Sequence, residues 1–174
     1  MIDILIHGDR VATQQGVGAW DIAIEGEKIT AVAAPGVLKD ADAGRVIDAR
    51  GKVVIPGGID PHMHCKFGQP GGVISALPDQ VSRAALFGGT TTMLDFAIWQ
   101  RGETLMQTIE KREADCWRGQ CYCDYGLHIL LNGKMPPEIV DEIPEAIQAG
   151  YPSVKIFTTE VRPERSNWKV DYGD

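Results

Sequence analysis

The chain opens on alternation. Ile2, Ile4 and Ile6 are interleaved with Asp3, Leu5 and His7, the two-residue period of a half-buried strand. Residues 21–25 and 28–33 read as two further short strands on either side of Glu25-Gly26-Glu27, where glycine supplies the positive φ of a tight hairpin. This stretch predicts a small antiparallel unit over residues 1–54. From Lys52 onward the pattern becomes apolar strand, loop and amphipathic helix, repeated. Strands are predicted over residues 53–59, 90–97, 124–131 and 153–159. Each is closer to a continuous apolar run than to an alternation, as in a parallel sheet covered on both faces.

Three helices are predicted between those strands. The first carries Leu77, Val81, Ala84 and Ala85 on one face and stops at Gly88-Gly89. The second runs from about Glu103 to Arg118, with Leu105, Ile109 and Cys116 inward and Gly119 at its end. The third covers residues 137–149 and bends or restarts at Pro144, which has no backbone donor to give. Four strands alternating with three helices make βαβ units. An open doubly wound sheet and a (β/α) barrel fit that alternation equally.

Composition narrows the function. The 174 residues include 17 Lys+Arg against 24 Asp+Glu, a formal charge of −7, with 44% hydrophobic and 24% charged residues. These are fractions of an ordinary globular protein, and the acidic balance without a basic run argues against nucleic-acid or anionic-membrane partners. A small neutral or polar organic substrate fits better. The first ten residues meet charges at Asp3, Asp9 and Arg10, so they form no apolar leader, and the expected location is the cytoplasm. Cys65, Cys116, Cys121 and Cys123, without a CxxC pair, read as reduced thiols.

The chemistry concentrates in residues 53–64. His62 and His64 are two apart, so on extended backbone both imidazoles leave the same face. They follow an apolar run, at the strand end where (β/α) barrels place their sites, and two imidazoles there read either as half of a zinc-type metal site or, equally on the pair alone, as packed or surface histidines. Asp60 is placed to support them by hydrogen bonding. Asp95, at the end of the second strand, is a pocket candidate with a capping or turn role as its rival, and Cys65 is a third-ligand or pocket candidate. His7 reads as structural and His128 as a core or supporting residue, while Trp99, Trp117 and Trp168 have no spacing that builds a stacking platform. Lys155 stands inside an apolar strand, where its charged form is costly to bury. It either reaches solvent at the strand end or serves chemistry.

Pro56-Gly-Gly-Ile-Asp-Pro-His-Met-His64 resembles the first metal motif of the cyclic amidohydrolases, in particular the dihydropyrimidinase/D-hydantoinase branch. The resemblance continues in Arg83-Ala-Ala-Leu-Phe-Gly-Gly-Thr-Thr-Thr-Met-Leu-Asp-Phe-Ala97, Cys123-Asp-Tyr-Gly-Leu-His128 and Ser153-Val-Lys-Ile-Phe157. It implies an α/β fold: residues 1–54 as strands of a small β-sandwich, and residues 55–174 as the first half of a (β/α)8 TIM-type metallohydrolase barrel. It implies two divalent metal ions, zinc by prior, held by His62, His64 and a carboxylated Lys155, and a homotetramer. A hydroxide bridging the ions would open a hydantoin- or dihydropyrimidine-like ring to an N-carbamoyl amino acid. Lys155 thereby also counts as catalytic.

Two positions depart from that pattern. Glu160 stands where the branch has a tyrosine that helps bind substrate, and an ionised carboxylate cannot donate to an oxyanion. Either another donor replaces it or the substrate differs. The loop Cys65-Lys-Phe-Gly-Gln-Pro-Gly-Gly72, with Phe67 as a pocket candidate, also departs from the branch's apolar loop. The rival readings are an allantoinase- or dihydroorotase-type enzyme and a non-catalytic assembly protein that has lost the ligands. A barrel of this type takes about 250 residues, so the length predicts a truncated or partial chain that is inactive alone.

Overall fold

The computed structural model describes residues 1–68, 72–133 and 135–156 and divides into two compact units, Met1–Pro56 and Gly57–Asp174. The first contains β1 (Ile2–Thr13), β2 (Gly16–Glu25), β3 (Lys28–Ala33), β4 (Ala43–Asp48) and β5 (Val53–Val54). They form one sheet in the order β3-β2-β1-β4, with β5 also on β1. The hairpin at Gly26 is as expected, with φ at 59°. The unit is mixed rather than antiparallel, because β4 and β5 both run parallel to β1. The open edge of β1 presents backbone N–H and C=O groups that must be paired, and the returning chain supplies them. Among the described residues the strands of this unit make a single sheet.

His7 ties that sheet to the connection leaving β3. Its Nδ1 meets Asp21 Oδ1 at 2.6 Å and its Nε2 meets Asp40 Oδ1 at 2.8 Å. Both partners are carboxylates, so both ring nitrogens donate only in the imidazolium. The buried Asp21 also accepts from the Gly36 N–H at 2.9 Å. Hydrogen bonding to Asp21, then to Asp40, raises the His7 pKa above its ordinary 6.5. A raised pKa stabilises fully below the unfolded value and ceases to do so as pH rises through the folded value. The urea midpoint is therefore expected to fall as pH is raised from about 6 to 9, with a shallower slope in His7→Gln. Equal slopes in the two proteins would remove His7 from the account.

The second unit contains β6 (Gly58–Asp60), α1 (Pro78–Phe87), β7 (Thr90–Ile98), α2 (Leu105–Arg112), β8 (Asp124–Leu131), α3 (Ile143–Gln148) and β9 (Val154–Ile156). Its four strands are all parallel, in the order β6-β7-β8-β9. This curled parallel sheet with intervening helices is the layout of part of a TIM barrel. The strand predicted over 53–59 is two strands in two sheets: Val53–Val54 pairs with β1, and Gly58–Asp60 pairs with β7. Pro56 interrupts the run by lacking a donor. Gly57 beyond it admits no side chain, since a Cβ there would stand 2.0 Å from Thr91 Oγ1.

The first two helices depart from their predicted form in ways that their own hydrogen bonds explain, and the third keeps to its prediction. In α1 the buried positions are Pro78 and Ser82, with Val81 and Ala85 half-buried; Leu77 and Ala84 are exposed. Burying Ser82 is tolerated because its hydroxyl donates to the Pro78 carbonyl at 2.6 Å and accepts the Tyr122 N–H at 3.0 Å. The second helix begins with a capping box between Thr104 and Gln107 and widens into a π segment, Glu113–Trp117, closed by Arg118 N–H to the Glu113 carbonyl at 2.8 Å. The third does restart near Pro144: a 3₁₀ turn, Pro137–Glu142, precedes α3. Met93, Ala97, Leu105, Ile109, Trp117, Leu127, Ile129 and Leu131 lie in the buried core between the sheet and the helices.

Candidate metal centre

The pleat of β7 sorts its side chains. Met93 and Ala97 belong to the core beneath the helices, so Phe96 points to the opposite face. The chain leaving β6 keeps its extended path beyond Asp60, since the Met63 N–H donates to the Leu94 carbonyl at 3.0 Å. Met63 packs against the core, which sends His62 and His64 to the same face as Phe96. Their ring centroids lie 5.3 Å apart. Asp60 fixes this strand end by accepting the His62 backbone N–H at 3.0 Å.

Phe96, only 3% exposed, is the floor of the cluster. His62, His64 and His128 stand 4.7, 4.8 and 5.0 Å from its ring centroid, and Lys155 Nζ lies 4.3 Å above it. From β9, Lys155 Nζ donates to His62 Nε2 at 3.3 Å. When charged, this amine can only donate, and Nε2 is then the lone-pair nitrogen of His62. His128 is held by two contacts. Its Nε2 donates to the Pro61 carbonyl at 2.9 Å, leaving Nδ1 to accept the Ser153 hydroxyl at 2.5 Å. It thus clamps β8 and the start of β9 to the residue before His62.

The environment favours neutral nitrogen bases. Burial lowers the His64 pKa, and the nearby Lys155 charge adds to the effect. Burial also lowers that of Lys155, raising the share of neutral amine. His64 Nδ1 is buried without a hydrogen-bond partner among the described residues. An orphaned imidazole nitrogen beside a second lone-pair imidazole and a desolvated lysine fits a divalent cation with nitrogen ligands. Among the described residues no three His, Cys, Asp or Glu side chains form such a set, and the further nitrogen beside His62 is that of Lys155.

The other predicted residues divide. Phe67 is near, its ring 5.1 Å from His64. Asp95 and Cys65 are elsewhere, both wholly buried on the helix side of the sheet. Asp95 accepts from Arg112 Nε at 3.0 Å and from Trp117 Nε1 at 2.8 Å, and Cys65 Sγ donates to the Ala76 carbonyl at 3.1 Å. The Cys116 thiol beside it, and then burial, push the Cys65 thiol pKa up, away from ligand chemistry. Glu160 lies outside the described residues, as does the end of the strand predicted over 153–159. Phe96, Ser153 and Arg112 carry no chemical signature in the sequence. Their parts follow from strand pairing and helix packing alone.

The sequence profile of the Amidohydrolase family matches residues 45–112. A D-hydantoinase of Geobacillus stearothermophilus is 34% identical over 154 residues, which make up 88% of this chain and 32% of that protein. A dihydropyrimidinase of Rattus norvegicus is 37% identical over 135 residues, 74% of this chain and 25% of that protein. The crystal structure of dihydropyrimidinase from Brevibacillus agri superposes with a TM-score of 0.82 at 30% identity, covering 99% of this chain and 35% of that one. The chain belongs to the amidohydrolase family, in its hydantoinase/dihydropyrimidinase branch. It spans about a third of the length of the first two D-hydantoinases it matches. As an amidohydrolase chain it carries the first strands of the barrel, and the cluster around Phe96 lies at their C-terminal ends, where barrel enzymes place their chemistry.

Proposed function

We propose that the protein hydrolyses a cyclic amide of the hydantoin or dihydropyrimidine type, adding water across a ring C–N bond to leave an N-carbamoyl amino acid. The observation that carries this reading is the convergence of His62, His64 and Lys155 over Phe96. The family in general works with a binuclear metal site. Here His62, His64 and Lys155, the last as a carbamate formed from its neutral amine and carbon dioxide, would hold the ions, with zinc the first candidate. Such ions, when bound, lower the pKa of water and polarise the substrate carbonyl.

This chain's own residues do the holding. Asp60 and His128 restrain the peptide between Pro61 and His62 from its two ends, and Phe96 packs beneath the imidazoles, so their rings stay directed. Phe67 is the described pocket candidate nearest the cluster, and Glu160 is proposed to face the substrate. Residues 1–54 are proposed as part of a β-sandwich domain and residues 55–174 as part of the barrel. Among the described residues no helix is long and apolar enough to cross a membrane. We place the protein in the cytoplasm as a homotetramer.

Full-length protein grown with zinc is expected to contain metal and to open hydantoin or dihydrouracil in preference to allantoin or dihydroorotate. His62→Ala should cost about three orders of magnitude in kcat/KM, the loss of several kcal/mol of electrostatic stabilisation. Less than one metal ion per chain, with hydrolysis unchanged in His62→Ala, would overturn the reading. Faster opening of allantoin would keep the chemistry and move the substrate.

A further inference from the structure

The face of the sheet opposite the imidazoles holds a second polar group that metal chemistry does not require. Asp95 is wholly buried and gathers three donors: Arg112 Nε at 3.0 Å, an Arg112 terminal nitrogen at 2.5 Å and Trp117 Nε1 at 2.8 Å. The same Arg112 nitrogen donates to the carbonyl of Cys65, the residue directly after His64. One turn further, Lys66 Nζ donates to the Asp115 carbonyl at 2.7 Å, inside the π segment. Lys66 itself stands at φ 45°, a left-handed conformation that a lysine rarely adopts unless its surroundings hold it there. So the chain leaving His64 is held at two successive residues by α2 and its π extension, at Cys65 through the backbone carbonyl and at Lys66 through the side chain. A guanidinium bound to a buried carboxylate is a rigid fork with its direction set in advance.

We propose that Arg112, aimed by Asp95, is a positioning residue for the His62–His64 strand end: it fixes the Cys65 carbonyl and thereby the direction of the imidazoles on the other face. This rests on the metal reading above for its consequence, though the grip itself does not. Arg112 touches neither metal nor substrate. It acts through the peptide that links Cys65 to Lys66, one residue beyond His64. Interactions of this outer kind, when removed, cost roughly 10- to 100-fold in metal affinity.

The test uses full-length protein, Arg112→Lys, and the uncharged double variant Asp95→Asn/Arg112→Met, which leaves no bare charge in the core if the single substitution fails to fold. Zinc affinity is measured by competition with a chromophoric chelator, and unfolding midpoints are measured metal-free. Imidazole ¹⁵N signals of His62 and His64 are recorded without metal. Both variants are expected to bind zinc about 10- to 100-fold more weakly, and their His62 and His64 signals to average between tautomers that are distinct in the parent. A role in folding alone would lower the midpoint and leave the affinity of folded protein at the parent value, and that result overturns the inference. If the folded parent binds no zinc, the metal reading fails, and the ¹⁵N signals decide: tautomer averaging in the variants sustains the positioning role, and unchanged signals end it.

Discussion

Lys155→Met is expected to leave a folded protein about three orders of magnitude less active. The substitution keeps an unbranched side chain of similar length over Phe96 and removes the nitrogen, so packing changes little. On the proposed reading it removes the side chain that would join His62 and His64 in holding the ions. That reading assigns the ligand several kcal/mol of electrostatic stabilisation at the reacting carbonyl, and each 1.36 kcal/mol is tenfold in rate. The carbamate itself is checked separately. Protein equilibrated with ¹³C-bicarbonate should give a carbamate carbon signal that is absent in Lys155→Met, and a parent protein without that signal refutes the modification. A parent that shows the signal, beside a Lys155→Met variant of unchanged kcat, would show that the modified lysine is idle.

Trp117→Ala should be the most destabilising single change in the second unit, by about 3–5 kcal/mol. The indole is wholly buried, stacks on Tyr125 with centroids 5.2 Å apart, and donates to Asp95. Truncation therefore opens a cavity and takes a donor from a buried carboxylate whose other oxygen has no partner among the described residues. Trp117→Phe separates the two effects. It keeps most of the apolar volume and loses the N–H, so it should cost about 1–3 kcal/mol, the penalty for a missing hydrogen bond to a buried charge. Guanidinium midpoints give both values. If Phe proved as damaging as Ala, the hydrogen bond rather than the packing would dominate.

What was legible in the sequence is what local pattern can carry. Apolar runs announced β7 and β8, glycines marked the helix ends, and the spacing of His62-Met63-His64 put two imidazoles on one face. The missing parts all depend on pairing between distant residues. Lys155 meets His62 across 93 positions, which only the order β6-β7-β8-β9 brings together. Asp95 looked like a pocket residue because it ends an apolar run. Its direction is set by the parity of β7, and a one-residue difference in phase decides between pocket and core. The parallel strand β4 was hidden because Val46-Ile47 is too short an apolar pair to announce a strand. The split at Pro56 was hidden because the residues on both sides of it are equally apolar.

The π segment has a consequence for chain length. It holds one residue more than an α-helical ladder needs, and no side chain in it has to be special for that to be so. A single-residue deletion anywhere in Glu113–Trp117 would regularise the helix, a change that ordinarily costs little on a surface. Four α-helical steps and five π steps both turn the chain by little more than one full circle, so such a deletion should leave the indole near Asp95, provided that it spares the buried Cys116 and Trp117. The spacing between Arg112 and Trp117 is thus held by the wide turn itself: a deletion that restores the α ladder should be tolerated far better there than an insertion, which has no regular ladder to fall into.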